Sequence, residues 1–118
     1  MVEIIVVTIL SILGVSADAR AVRTPPSTLA VTPNARCPQW WQTAYEVGWP
    51  VDQLPTMDRV MWCESKCSPT AYNKSGASGL MQVLKSHAPN EDLFDPVTNL
   101  TVALSVLERQ GWNAWNCY

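Results

Sequence analysis

Residues 63–82 read Cys-Glu-Ser-Lys-Cys-Ser-Pro-Thr-Ala-Tyr-Asn-Lys-Ser-Gly-Ala-Ser-Gly-Leu-Met-Gln. An apolar run at helical spacing leads into this stretch through Met57, Val60, Met61 and Trp62. Glu64 therefore stands where a predicted helix ends and the chain turns into a loop rich in Ser, Pro, Asn and Gly. A single carboxylate at such a boundary is a candidate catalytic residue.

Eleven residues of this stretch, spaced over 19 positions without a gap, match the signature of a known family: Glu64, Ser65, Pro69, Ala71, Asn73, Gly76, Ala77, Gly79, Leu80, Met81 and Gln82. On these residues the chain resembles the soluble lytic transglycosylase-like family of the lysozyme superfamily. Two positions depart from the family pattern, since Cys67 replaces the usual aromatic residue and Asn73 replaces a serine.

The resemblance implies a small, mainly α-helical, lysozyme-like domain that cleaves the MurNAc–GlcNAc β-1,4 linkage of peptidoglycan without a metal or other cofactor. Glu64 would act as the only acid and base, and the products would carry 1,6-anhydro-MurNAc ends. The substrate-binding residues that we predict on this basis are Gln82, Asn73, Ser65, Met81, Tyr72 and Trp112. A hydrolytic muramidase and a non-catalytic cell-wall-binding module are the alternative functions.

General acid catalysis places demands on the surroundings of Glu64. A glutamate keeps its proton near neutral pH only where an apolar environment raises its pKa, and Met61, Trp62 and Leu80 are candidates to supply it. Lys66 should face solvent, because an inward-pointing cation would oppose the shift. A hydrolase generally needs a second carboxylate. The available ones are better interpreted as loop and helix-cap residues: Glu91, Asp92 and Asp95.

All four cysteines lie within residues 37–118. An even number favours two disulfides over a metal site, because the spacing of Cys63 and Cys67 is not typical of metal ligands and His87 is the only histidine. Four cysteines allow three pairings, which the cysteine positions alone do not separate.

A second resemblance bears on the pairing. It rests on Cys-Glu-Ser at 63–65 and on Gly-Trp-Asn-Ala-Trp-Asn-Cys at 111–117. Together these segments look like the catalytic domain of actinobacterial resuscitation-promoting factors, in which the cysteine before the glutamate is bonded to the one after Gly-Trp-x-x-Trp. This resemblance implies a Cys63–Cys117 disulfide, and Cys37 would then pair with Cys67.

The chain divides into three segments. Residues 4–15 are apolar and precede Ala17-Asp18-Ala19, which predicts a signal peptide at 1–19 even though an acidic residue, Glu3, stands near its start. Only 14 residues separate Glu3 from Asp18, fewer than the ~20 that a membrane span needs. Residues 20–36 hold three prolines and are predicted to form a disordered tether. The catalytic domain is predicted at 37–118.

The composition and charge of the chain limit the kinds of partner that it is expected to bind. The chain has 118 residues, 47% of them apolar, and a net charge of −2, which is typical of one small domain. Lys and Arg are scattered singly, which argues against nucleic acid. We predict a secreted or cell-envelope monomer that binds peptidoglycan glycan strands and has no stable membrane insertion after processing.

Local signals predict the helices that surround the site. The stripe from Pro38 to Gly48 predicts a core helix, and Pro55-Thr56 predicts the start of the helix leading to Glu64, with Thr56 as its cap and Asp58 facing the helix dipole. Asp95-Pro96 and Gly111 predict the start and the end of a last helix. One face of that helix is predicted to hold Val97, Leu100, Leu104 and Leu107.

Aromatic residues near the site leave alternatives open. Val106 stands where the family resemblance expects an active-site tyrosine, for which Tyr72 or Tyr118 would have to substitute. Trp112 and Trp115 lie close to Cys117 in sequence and either pack in the core or stack on a sugar ring.

Overall fold

The computed structural model describes residues 29–118. The predicted signal peptide and residues 20–28 of the predicted tether lie outside the described residues. Within the described part of the tether, residues 32–35 form a turn, closed by the Ala35 N–H and the Thr32 carbonyl (3.1 Å). The described part of the chain is mainly α-helical, as predicted, and contains three α-helices: α1 (Trp41–Glu46), α2 (Leu54–Ser65) and α3 (Pro96–Gln110). None of the helices in residues 29–118 has the length and apolar character needed to cross a bilayer.

A small antiparallel sheet lies between α2 and α3 in sequence. Strand β1 (Ala77–Ser78) pairs with β2 (Val83–Leu84), with Ser78 opposite Val83, and Tyr72 forms an isolated bridge to Ser78. Single turns of 3-10 helix occupy Pro38–Trp40, Val51–Gln53, Lys85–His87 and Trp112–Ala114.

Large apolar side chains from all three helices form the core. Its fully buried members include Trp41, Trp49, Leu54, Met57, Met61, Leu80, Met81 and Leu100. The two buried indoles satisfy their N–H groups internally, since Trp49 donates to the carbonyl of Leu100 (2.9 Å) and Trp41 donates to Asp58 (3.0 Å). Polar atoms that enter the core are thus hydrogen-bonded there.

The start of α2 differs from the prediction. Thr56 does not cap the helix, which begins at Leu54 with Pro55 in its first turn and without a side-chain cap. The 3-10 turn Val51–Gln53 leads directly into α2, and the amide of Leu54 bonds to the carbonyl of Val51. The 3-10 turn therefore satisfies the first backbone N–H group of α2, in place of a capping side chain.

Asp58 also has a different role from the predicted one. Its side chain is buried, and its carboxylate accepts hydrogen bonds from the backbone N–H groups of Arg36 (2.8 Å) and Cys37 (2.7 Å) as well as from Trp41 Nε1. Three donors offset the cost of burying the charge. Asp58 thereby fastens the segment before α1 to α2 instead of facing the helix dipole.

Helix α3 begins and ends as predicted. Asp95 caps it by accepting a hydrogen bond from the Thr98 N–H (2.9 Å), Pro96 is its first residue, and it ends at Gly111, which has a φ of 75°. The predicted buried face was wrong in part. The buried residues are Asn99, Leu100, Ala103 and Val106, whereas Val97 is 51% exposed and Leu104 and Leu107 are half-buried. Asn99 is a polar residue on the buried face of α3, and it is tolerated there because its side-chain amide is hydrogen-bonded on both its oxygen and its nitrogen.

Two disulfides join distant parts of the chain. Cys37 is bonded to Cys67, and Cys63 is bonded to Cys117. This is the pairing that the resemblance implied. The first bridge is buried and joins the segment before α1 to Cys67, just beyond the end of α2. The second bridge joins the exposed Cys63, in the last turn of α2, to the C-terminal segment.

Candidate active site

Glu64 lies on the core-facing side of α2, at its end. It is the penultimate residue of the helix and follows Val60 and Met61, both fully buried, by four and three residues. Side chains at these spacings lie on one helix face. Glu64 therefore continues the buried face of α2 that Val60 and Met61 form, and its own side chain is half-buried.

The backbone ends α2 immediately after this residue. Lys66 (φ 55°) and Cys67 (φ 66°) are both left-handed, a conformation unusual for residues other than glycine. The Lys66 side chain is exposed; its Nζ donates to the carbonyl of Trp62 (3.3 Å) and lies 5.1 Å from the centroid of the Trp62 ring. Lys66 thus faces solvent, as predicted, and its charge is directed towards the indole.

Two features set the proton affinity of Glu64. Burial raises the pKa of its carboxyl above the ordinary value of 4.5, and the N–H of Cys117 acts in the opposite direction by lowering the pKa. Burial is the larger effect. A carboxylic acid in this setting retains its proton to higher pH than an exposed one and suits the donation of a proton to a leaving group.

Gly79 lets the loop that follows α2 approach α3 closely. Its φ is 76°, and a Cβ atom at this position would lie 2.3 Å from both the carbonyl oxygen of Leu93 and Asn99 Nδ2. No side chain fits in that space. The loop backbone therefore comes close to α3 at a point where glycine is required for two separate reasons.

Asn99 holds the same loop from α3. Its Oδ1 accepts from the Met81 N–H (2.9 Å), and its Nδ2 donates to the carbonyls of Ser78 (2.8 Å) and Leu93 (2.9 Å). One buried amide thus satisfies three backbone groups. The sequence did not predict this role; a polar residue inside the apolar stripe of α3 was the available signal.

Gln82 adopts a constrained conformation. Its φ is 50°, and its Nε2 donates to the carbonyls of Ala71 (3.1 Å) and Gly79 (3.0 Å). The residue lines a small cavity of about 130 Å³ together with Val106 and Trp115. The structure therefore brings Gln82 next to the position of the missing family tyrosine, where Val106 presents only an apolar side chain.

Asn73 and Tyr72 lie on the exposed part of the loop. Asn73 Oδ1 accepts hydrogen bonds from the N–H (2.7 Å) and the hydroxyl (2.9 Å) of Ser75, which leaves the amide N–H₂ group of Asn73 on the exposed surface. Tyr72 is 66% exposed, and its ring centroid lies 6.3 Å from that of Phe94, another exposed aromatic residue. Both predicted residues are accessible to a ligand.

Ser65 and Met81 occupy buried positions instead. The hydroxyl of Ser65 donates to the carbonyl of Met61 (3.2 Å), and the Met81 side chain has no exposed surface. Both residues pack inside the fold, so their side chains are not available to a substrate in this structure.

Trp112 belongs to an aromatic cluster at the C-terminal end. Its Nε1 donates to Gln53 Oε1 (2.8 Å), and its ring stacks on that of Tyr118, with centroids 5.6 Å apart and planes inclined by 12°. Trp115 is buried and donates to the Met81 carbonyl (2.7 Å). The exposed ring at this end is that of Tyr118, the residue after Cys117.

Three other carboxylates occupy turns and a helix cap. Asp95 caps α3, and the adjacent hydrogen bonds from Thr98 lower the pKa of its carboxyl. Asp92 accepts from the Phe94 N–H (3.0 Å), and Glu91 is exposed. These placements agree with their interpretation as loop and cap residues.

A comparison with protein families identifies the class of the domain. Residues 51–114 match the family model described as Transglycosylase SLT domain. The chain therefore belongs to this family, and the match includes α2, Glu64, the loop and α3. It supports transglycosylase activity on peptidoglycan as the general function. Neither a curated protein nor a solved structure matches the chain, and the similarity to resuscitation-promoting factors stays a prediction.

Proposed function

We propose that this chain is a lytic transglycosylase that cleaves the MurNAc–GlcNAc β-1,4 linkage of peptidoglycan, with Glu64 as its single acid and base. The observation that carries the proposal is the position of Glu64, whose carboxyl continues the buried face of α2 and has its pKa raised by burial. A protonated carboxyl at the edge of an apolar face is the group that protonation of a glycosidic oxygen requires.

The reaction would proceed in two proton transfers. Glu64 donates its proton to the glycosidic oxygen as the bond from that oxygen to C1 of MurNAc breaks, and the GlcNAc leaves with a new hydroxyl. The Glu64 carboxylate then accepts the proton of the MurNAc C6 hydroxyl, while the oxygen of that hydroxyl bonds to C1. A 1,6-anhydro ring results, no water is consumed, and Glu64 is again protonated.

Substrate contacts are proposed for residues of the loop that follows α2. Asn73 would offer its amide N–H₂ group and Gln82 its amide oxygen to the N-acetyl and hydroxyl groups of the sugars, and Tyr72 would supply an exposed ring for stacking. Trp112 is committed to Gln53, so Tyr118 is the better candidate for a stacking residue at the C-terminal end. Val106 contributes no hydroxyl.

The location follows from the substrate and the disulfides. Peptidoglycan lies outside the cytoplasmic membrane, and disulfides persist in oxidising surroundings. We therefore propose a secreted or envelope-located monomer, released by cleavage after Ala19, so that Arg20 would be the first residue of the mature chain.

Product analysis tests the proposed reaction. Digests of purified peptidoglycan should contain 1,6-anhydro-MurNAc ends, which resist reduction by borohydride. Reducible MurNAc ends would instead identify a hydrolytic muramidase. Binding without any cleavage would identify a cell-wall-binding module.

A further inference from the structure

A groove of about 420 Å³ lies on a side of α2 different from that of Glu64. Residues 32–36 supply one of its walls, and Asp58, Arg59, Trp62 and Cys63 of α2 contribute to the other. Glu64 follows Trp62 by two residues, which corresponds to about 200° around the helix. The groove is therefore separate from the proposed cleft, although Cys63 at its end adjoins the catalytic residue.

Residues 32–36, the wall of the groove opposite α2, are held in place by hydrogen bonds and a disulfide. The N–H of Ala35 bonds to the carbonyl of Thr32 (3.1 Å) and closes a turn, and the N–H groups of Arg36 and Cys37 bond to the buried Asp58. The Cys37–Cys67 disulfide fixes the next point along the chain. The groove is thus formed by fixed backbone and does not depend on a loose segment.

Cationic side chains surround the indole of this groove. The guanidinium carbon of Arg36 lies 5.4 Å from the centroid of the Trp62 ring, and Lys66 Nζ lies 5.1 Å from the same ring. Arg59 also lines the groove and is exposed. The Asp58 carboxylate is turned towards three N–H donors and is the one acidic group of the lining, against the two guanidinium groups of Arg36 and Arg59. The groove therefore presents an excess of positive charge.

We propose that this groove binds the free carboxylates of the peptide stems that peptidoglycan carries, an inference that rests on the proposed function. Planar guanidinium groups fit carboxylates with two parallel hydrogen bonds, and Arg36 and Arg59 present two of them at one groove. A neutral sugar would gain little from such a pair. The ligand chemistry is therefore that of an oxyanion.

A stem attached to MurNAc in the cleft can reach the groove. An extended peptide of about five residues spans ~16–18 Å. A helix with its side chains is about 10–12 Å across, so the path around half of it is ~16–19 Å. The stem can consequently pass the end of α2 near Cys63 while the glycan remains beside Glu64. The groove would then select strands that still carry their stems.

Calorimetry tests this inference with the full chain carrying Glu64→Gln, so that the ligand stays intact. The ligands are glycan oligomers with unmodified stems and the same oligomers after an amidase has removed the stems. Arg59→Gln should weaken binding of the stem-bearing oligomer by about 3- to 10-fold, and Arg59→Glu should weaken it further. Neither change should affect the stem-free oligomer. Arg109→Gln, which removes an exposed cation from α3, is the matched control and should affect neither ligand.

Several results would overturn the inference: an unchanged affinity in Arg59→Glu, an equal loss for both oligomers, or equal affinity for stems whose carboxylates have been amidated. A loss seen only with phosphate-bearing wall fragments would assign the groove to phosphate instead. Failure of the proposed function looks different, because the wild-type chain would then leave peptidoglycan uncut whatever the outcome with Arg59.

Discussion

The backbone N–H of Cys117 faces the carboxyl of Glu64 and lowers its pKa against the larger effect of burial. The disulfide from Cys117 goes to Cys63, the residue directly before Glu64. The C-terminal segment is therefore held next to Glu64 by a covalent bond to the preceding residue. The bridge that stabilises the fold also sets the surroundings of the proposed acid.

The two disulfides should differ in their effect on activity. Replacing Cys63 and Cys117 by serine should lower the free energy of unfolding by roughly 2–4 kcal/mol. It should also reduce turnover at temperatures where the variant is folded, because the segment that carries the Cys117 amide is released. Denaturant unfolding and peptidoglycan digestion measure the two effects.

The matched control replaces Cys37 and Cys67 by serine. This variant should lose comparable stability and retain the larger fraction of turnover, since it leaves the Cys63–Cys117 bond intact and opens only the bridge from Cys37, before α1, to Cys67. The account of Cys117 is contradicted if the control loses more turnover than the Cys63 and Cys117 variant at equal folded fraction.

Gly79 and Gly76 offer a paired test of the loop. Both have a positive φ, but a Cβ atom at Gly79 would meet Leu93 and Asn99 at 2.3 Å, whereas one at Gly76 would meet nothing within 4 Å. Gly76→Ala should cost about 1–2 kcal/mol of stability from backbone strain alone. Gly79→Ala should cost at least ~1–3 kcal/mol more, because the loop must move away from α3. Equal losses in thermal or denaturant unfolding would contradict the close approach seen here.

Glu64 should make stability depend on pH. Burial raises the pKa of this acid in the folded state above its ordinary value of 4.5, so the folded state holds the proton more tightly than the unfolded state. The contribution is fully present below pH 4.5 and is lost as pH rises through the raised pKa. Glu64→Gln should therefore melt above the wild type at neutral pH, and this advantage should disappear below about pH 4.

A series of melting curves from acidic to neutral pH measures the difference. Glu108→Gln, which removes an exposed carboxylate from α3, corrects for the loss of one charge. A wild type that is more stable than Glu64→Gln at neutral pH would mean that the folded state favours the carboxylate, and the proposed acid would lose its support.

Local signals in the sequence predicted the parts of the fold that depend on neighbouring residues. The capping of α3 by Asp95 and Pro96 was predicted, as was the end of α2 next to Glu64. Helix ends of this kind are determined by side chains within one turn. The solvent-facing Lys66 also followed, from the requirement that no cation oppose the protonated acid.

Roles that depend on distant partners were not predicted. Asp58 binds backbone groups 21 and 22 residues earlier in the chain, and Asn99 binds Met81 and Ser78, 18 and 21 residues away. Spacing along one helix carries no information about such contacts. For the same reason, the signature did not separate the buried Ser65 and Met81 from the half-buried Gln82, because it gives residue types at fixed spacing and not their burial.

The rate of peptidoglycan cleavage by Glu64→Gln tests the central claim most directly. The substitution keeps the shape and the hydrogen-bonding capacity of the side chain but removes the transferable proton. Turnover should fall by roughly 100- to 10,000-fold while binding of the glycan persists. Glu91→Gln, Asp92→Asn and Asp95→Asn should each cost far less, since the proposed mechanism uses one carboxylate. Full activity of a folded Glu64→Gln variant would contradict the assignment.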